Sequence, residues 1–293
     1  QVVTNPPSFK NWLSIIWLIC IVCLGSAIST NKGKVPYSEI VAKKLEKLGY
    51  KVFKDFVNSK DYGVPQKRVR FIMVGIRKDV LDPNIDPFIS LSLLKKSFLK
   101  DKKLPLTPVS VKDAISDLEF TGSNLIHHSG SLESGFKKLD YIPPSKHSAY
   151  QKLMRKGLRK NKPNALRIAR HKPATIEKFK LIQSICRPGV TLNDAEREII
   201  GTKKQAITVL NPDVPSKTLT TLPDDILHYS EPRILTVREN ARIQSFPDSF
   251  DFKGKYTTGG MRRTKECPRY TQVGNAVPPL LGEVLGLMIK RIG

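Results

Sequence analysis

Gln66, Arg68 and Arg70 occupy every second position of DYGVPQKRVRFIMVGIR, residues 61–77. On a strand this spacing turns both guanidinium groups to one face, where their planar forks of N–H donors can grip the acceptor atoms of a ligand. Exposed arginines on an edge strand leave the same pattern. A second stretch, RYTQVGNAVPPLLG at 269–282, suits close backbone approach. Gly274 lets the chain turn or come near a ligand, and Pro278 and Pro279 fix φ where a new helix would start. Sulfur and imidazole chemistry has less support. Cys20 and Cys23 form a CIVC pair, but zinc needs a second pair, and Cys186 and Cys267 stand alone. No thioredoxin-like setting surrounds them, so the four cysteines read as small buried apolar residues. His127 and His128 point to opposite sides of a strand and have no further ligands, which makes them surface residues and leaves no metal site.

These residues need elements to hold them. Thr236 followed by Glu239 is a capping box, so a helix begins at Val237 and stops before Pro247. The last helix shows Leu280, Leu281, Val284, Leu285, Met288 and Ile289 on one buried face. Residues 38–49 read as a helix with Ser38 as cap, Ile40, Val41, Leu45 and Leu48 facing inward, and Gly49 as its stop. Strands follow at 51–57 and 69–76, rich in β-branched and aromatic residues. Helix, strand, turn and strand suit the last part of a twisted sheet covered by helices. Beyond Leu104 the composition loosens, apart from a helix VKDAISDL begun by Ser110 and Asp113.

The 293 residues can bury a substantial core. Lys and Arg number 50 against 26 acids, a net charge of +24, which implies a polyanionic partner. The excess is clustered: residues 151–180 hold eleven Lys or Arg and a single acid, Glu177. Pro163 and Pro173 interrupt this segment and it has no sustained apolar face, so nucleic acid fits better than a membrane surface. So few cysteines in a body of this size point to a reduced, intracellular protein. Residues 1–31 differ in kind, with Lys10 as the only charge and an apolar run at 12–28. That run reads as a membrane anchor, as a buried strand and helix, or as translation in a wrong frame.

LTVRENARIQSFPDSF followed by QVGNAVPP closely resembles the ninth and tenth motifs of the DNA cytosine-5 methyltransferases, and DYGVPQKRVRFIMVGIR resembles their eighth. The resemblance covers Lys32 to the end, with family-like spacers PLTPVSVKDAISDL and VPSKTLTT, and fails before Lys32, which favours the wrong-frame reading of the preceding segment. It implies an α/β fold: the C-terminal part of a Rossmann-like S-adenosylmethionine-dependent methyltransferase domain plus a smaller target-recognition domain. The implied divisions are 1–31, of unclear origin; 32–103, the end of the catalytic sheet; 104–235, target recognition; and 236–293, the joint and closing helices. In this family a cysteine thiolate adds to cytosine, a glutamate handles the ring-nitrogen proton, and S-adenosyl-L-methionine supplies the methyl group. The base is first flipped out of double-stranded DNA. The resemblance gives Arg68 and Arg70 the task of holding that base, with Gln66 supporting the pocket, and gives Asn275, Ala276 and Val277 a place lining the cofactor pocket. Arg238, Glu239, Arg242 and Gln244 would brace the joint. The basic cluster 152–180, with Arg262, Arg263 and Lys265, would sit on phosphates.

The catalytic letters themselves are missing from these residues. No cysteine follows a proline, as the family's Pro-Cys-Gln nucleophile requires. The only Glu-Asn, Glu239-Asn240, continues into Ala241 and belongs to the capped helix, whereas the family has Glu-Asn-Val. No two glycines are separated by one residue, so the cofactor loop is absent too. The expectation is a C-terminal methyltransferase portion, inactive alone and completed by a separate N-terminal portion, in a restriction-modification setting. A non-catalytic DNA-binding remnant is the alternative; it would bind DNA in a salt-sensitive way without any partner. A membrane-anchored protein is the third reading, marked by extraction only with detergent.

Overall fold

A computed structural model of the chain describes residues 16–21, 27–30, 33–82, 84–120, 125–128, 135–158, 162–257 and 266–293, with side chains from residue 35 onward. Strand β1 (Ile16–Ile21) is followed by a hairpin of β2 (Ala27–Thr30) and β3 (Gly33–Pro36), then α1 (Tyr37–Lys47), β4 (Tyr50–Asn58) and β5 (Val69–Arg77). The strands β1, β5 and β4 form one antiparallel sheet with β5 in the middle, Ile16 opposite Ile76 and Tyr50 opposite Arg77. Residues 16–21 of the apolar run at 12–28 thus form a strand of this sheet, while 12–15 and 22–26 lie outside the described residues. Among the described residues no helix is long and apolar enough to cross a membrane.

Six consecutive residues of β5, Phe71 to Ile76, are buried, as expected of a strand covered on both faces. Their parity separates two cores. Phe71 and Met73 pack with Ala42 and Leu45 of α1, while Ile72, Val74 and Ile76 join the largest apolar cluster. An arginine at position 70 has the parity of Ile72, and it sits on a central strand rather than the edge strand considered from sequence. Two details of α1 depart from expectation. Its N-cap is Pro36 with no side-chain cap, because the helix leaves β3 directly and Ser38 lies inside the first turn. Leu48 is 72% exposed, since it follows the last helical turn, and Gly49 then ends the helix at φ 88°.

Helix α2 (Pro87–Asp101) begins with Asp86 accepting from the Phe88 and Ile89 amides and Pro87 in its first turn. The short α3 (Val111–Ile115) has the expected Ser110–Asp113 capping box. A hairpin of β6 (Leu125–His127) and β7 (Lys137–Leu139) precedes α4 (Ala149–Met154). Helices α5 (Pro173–Ile185) and α6 (Asp194–Ile200) enclose a separate apolar cluster with β8 (Thr208–Val209) and Leu227 of β9 (Ile226–Leu227). Then come α7 (Val237–Ile243), α8 (Arg269–Asn275) and α9 (Pro279–Ile292). The largest cluster runs from Val57 to Met288 and joins the inner face of β5 to α2, α3, α4 and α9. On α9 the buried residues are Leu280, Leu281, Val284, Leu285 and Met288, the stripe its spacing calls for.

Candidate functional site

The segment leading into β5 is held by chain far away in sequence. The Lys67 amide donates to the Ser216 carbonyl at 2.7 Å and the Ser216 amide to the Pro65 carbonyl at 3.0 Å, so VPQKR lies alongside VPSKTL. Inside that ladder Gln66 is fully buried and Arg68 is 2% exposed. Arg68 donates to the carbonyls of Gly274 (2.9 Å), Leu219 (3.3 Å) and Ala276 (3.4 Å), and to Gln66 Oε1. Gln66 in turn accepts from the Leu219 amide and donates to the Ile243 carbonyl. Both side chains are engaged within the chain. Their polar atoms fasten the chain's own backbone, because a buried guanidinium must satisfy its donors with what surrounds it. Arg70 differs: it is half-exposed and donates to the Val69 carbonyl at 2.8 Å. By parity it emerges on the sheet face that α9 covers.

Helix α7 is the hub of the joint. Its capping box forms as predicted, with Thr236 accepting from the Glu239 amide and Glu239 from the Thr236 amide. Arg238, Glu239, Arg242 and Gln244 are all fully buried. The two arginines do not pair along the helix. Arg242 grips Asp248 through two bonds of 2.9 and 2.7 Å, reaches Asp117, and donates to the Ala114 carbonyl. Arg238 donates to the carbonyls of Asn164, Pro247 and Phe250. Glu239 receives both forks of Arg233 at 2.8 Å. Burial pushes the Glu239 carboxyl up, but the Arg233 charge and hydrogen bonds more than offset it, and the net displacement is downward. Gln244 donates to the Val273 carbonyl at 3.0 Å and so ties α7 to α8. The sequence reading missed Arg233, Asp117 and Asp248; carboxylates lodged among apolar residues in VKDAISDL and SFPDSF were the available signal.

His228 lies beside this network, fully buried, with Nδ1 accepting from the Ser230 and Glu231 amides and Nε2 3.6 Å from Glu239. Burial, against the opposing pull of Glu239, lowers its pKa to about 4. Between the ordinary pH 6.5 and that value the unfolded chain takes up a proton that the folded chain refuses, so stability falls as pH falls through that window. The expected loss is about 3 kcal/mol on going from about pH 7 to 4, because each tenfold weakening of proton affinity is worth about 1.4 kcal/mol. Urea unfolding across that range checks it: His228→Gln should remove this part of the slope, and an unchanged slope would contradict the assignment.

Gly274 makes the close approach its sequence suggests, but to the chain itself and inside α8. A Cβ there would stand 2.5 Å from the Thr220 carbonyl oxygen and 3.0 Å from the Thr221 Cα. Both neighbours are backbone, so Gly274→Ala must separate α8 from the VPSKTLTT segment. The expected destabilisation is roughly 1–3 kcal/mol, read as a lower urea midpoint. From Asn275, the last residue of α8, the chain presents Asn275 and Val277 to solvent, with Ala276 half-buried, before Pro278 and Pro279 open α9. The Leu280 amide, donating to Ser245 Oγ at 3.1 Å, anchors α9 to the end of α7. An exposed amide side chain next to an exposed valine can serve as one wall of a pocket for a ligand with polar and apolar parts, and S-adenosylmethionine is such a ligand.

The basic cluster divides. Arg167 is clamped between the rings of Phe136 and Tyr256, at 4.1 and 3.8 Å from their centroids, and Arg155 lies over Tyr141. Lys162 pairs with Asp140 and Lys180 with Glu177. Those side chains are structural or locally neutralised, and Lys178 donates to the Gly201 carbonyl, while Lys152, Lys156 and Lys172 are exposed. Arg262, Arg263 and Lys265 lie outside the described residues. His127 is exposed as expected, but His128 packs edge-on against Tyr256. Among the described residues no cluster of three His, Cys, Asp or Glu is arranged for a metal, and Cys186 and Cys267 are free.

A crystal structure of a DNA modification methyltransferase encoded within an E. coli prophage superposes on 95% of this chain and 69% of its own, with a TM-score of 0.57 and 20% identity. The α/β architecture is therefore that of a methyltransferase fold. The profile of the C-5 cytosine-specific DNA methylase family matches residues 27–291, and the chain belongs to that family. The match starts before Lys32, so the β2–β3 hairpin belongs with it and the break in family likeness lies further upstream than the sequence motifs indicated. The chain is 30% identical over 276 residues to the type II methyltransferase M.DdeI of Desulfomicrobium norvegicum, covering 91% of this chain and 61% of that protein. It is 30% identical over 261 residues to M.PspPI of a Psychrobacter species, covering 86% and 49%. The chain thus spans about half to three fifths of the length of these curated relatives. M.AquIB of a Picosynechococcus species is much shorter: 123 aligned residues, 35% identical, make up 83% of it and 41% of this chain.

Proposed function

We propose that these 293 residues supply the target-recognition and base-holding part of a DNA cytosine-5 methyltransferase of a restriction-modification system, working inside the cell on double-stranded DNA. The observation that carries this is the joint itself: the eighth-motif segment, the ninth-motif helix α7 and the tenth-motif loop are tied to one another by Gln66, Arg68 and Gln244. Arg70 holds the flipped cytosine through its guanidinium donors. Gln66 and Arg68 keep the strand that carries it in register with Gly274 and Ala276, and Asn275, Ala276 and Val277 form one wall of the cofactor site. S-adenosyl-L-methionine, when bound, supplies the methyl group.

The nucleophilic cysteine and the ring-nitrogen glutamate come from sequence outside these residues, in the same or a separate polypeptide. The test is transfer of labelled methyl groups to duplex DNA by the chain alone and mixed with a family segment carrying Pro-Cys-Gln and Glu-Asn-Val. No incorporation alone and incorporation in the mixture are expected. Salt-sensitive DNA binding with no methylation in any mixture would reduce the chain to a DNA-binding remnant.

A further inference from the structure

Two basic stretches far apart in sequence meet in one groove. The C-terminal end of α2 contributes Lys102 and Lys103, and the α4 segment contributes Lys152, Arg155 and Lys156, around a cavity of about 660 Å³. Lys102 is tied to Glu283 and Arg155 to the Tyr141 ring. The other three lysines are exposed. Some lysines elsewhere on the surface find carboxylates, as Lys54 does Glu39, Lys95 does Asp61 and Lys204 does Asp224, while Lys43, Lys44 and Lys47 of α1 are exposed and enter no ion pair among the described residues, but they lie on a single helix and not around a groove. Among the described residues no ion pair reaches Lys103, Lys152 or Lys156, although Asp101 lies on the same wall.

Lys103 is held in a left-handed conformation, φ 57°. It closes α2 where glycine is usual, with the Leu104 amide donating to the Leu99 carbonyl at 2.9 Å. A Cβ there is strained, so a lysine is kept against backbone preference. A cation at a helix C-terminus also answers the helix dipole, but that does not bring Lys152 and Lys156 to it from another element. His147, on the same wall, lies in the resulting positive field: burial, then Arg155, hold its imidazole below the ordinary range.

We propose that this groove binds the phosphodiester backbone of duplex DNA away from the flipped base, with Lys103, Lys152 and Lys156 as the contacts. Three unneutralised cations spread over two elements match a repeating anion better than a single phosphate. The proposal rests on the DNA-binding function proposed above.

Anisotropy of a labelled duplex, titrated with the full chain over a range of salt, tests it. Wild type should show a linear fall of log K with log salt, and the K103Q/K152Q/K156Q variant should lower that slope by about 2.7, at about 0.9 per phosphate contact. The equal-charge control K43Q/K44Q/K47Q, on α1, should leave the slope unchanged. An equal loss in both variants reports net charge alone and overturns the site, as does a wild-type slope in the groove variant. Binding by wild type that ignores salt would instead remove the DNA-binding reading, and this site with it. Inorganic phosphate at matched ionic strength should not displace the duplex; displacement would make the groove a small-anion site. Lys103→Gly relieves the strained backbone, so it should weaken DNA binding without lowering the melting temperature, and wild-type affinity in that variant would remove Lys103 from the contacts.

Discussion

Arg242→Leu should destabilise the folded chain by about 3–5 kcal/mol, because the change strips two buried carboxylates of their hydrogen-bonded guanidinium and leaves Asp248 only the more distant Arg238, at 3.9 Å. Asp248 is fully buried and Asp117 has a side chain only 1% exposed; both turn their oxygens to the Arg242 guanidinium. The arginine also satisfies the Ala114 carbonyl at the end of α3, so three partners lose a donor together. The triple variant R242L/D117N/D248N should recover much of the loss, since a neutral, similarly shaped replacement of a buried ion group is often close to neutral in stability. Urea unfolding at about pH 7 measures both. A single variant within about 1 kcal/mol of wild type would mean that the triad does not hold α7 to α3.

Arg70→Ala should lower methyl transfer by the completed enzyme about 10²–10³-fold, the usual cost of losing one well-placed donor at the reacting group. Stability should change little, because Arg70 is half-exposed on its strand. Arg68→Ala should behave in the opposite way. It strips a donor from the Gly274, Leu219 and Ala276 carbonyls, at a cost on the order of 3 kcal/mol for buried acceptors left unpaired. Methyl transfer measured at saturating DNA, beside unfolding of the same variants, separates the two. If Arg68→Ala kept full stability while transfer collapsed, Arg68 would be the base-holding group and the clasp would be misassigned.

What the sequence reveals and what it hides follow the range of the interactions concerned. The start of α7 at Val237 and the buried stripe of α9 were legible because a capping box and a 3.6-residue period are written within one or two turns. The same holds for α3 and Ser110. The backbone partners of Arg68 were not legible because they lie 151 to 208 residues away; spacing places a side chain on a face but does not say what covers that face. Gly274 was recognised as a site of close approach, yet its neighbour, the Thr220 backbone, comes from another segment. The basic cluster 152–180 was visible as charge. Its division into a ring-clamped Arg167, a paired Lys162 and the exposed groove lysines depends on Tyr256, Asp140 and Lys103, none of them local to it. Ser38 and Leu48 failed for a simpler reason: the helix boundary moved by one or two residues, the least certain feature of any periodic pattern.

Base-resolution mapping of 5-methylcytosine in DNA from cells making this chain, with and without a family segment carrying Pro-Cys-Gln and Glu-Asn-Val, tests the central claim most directly. The account predicts unmethylated DNA with the chain alone and methylation confined to one sequence context when both are present. Methylation by the chain alone would contradict it.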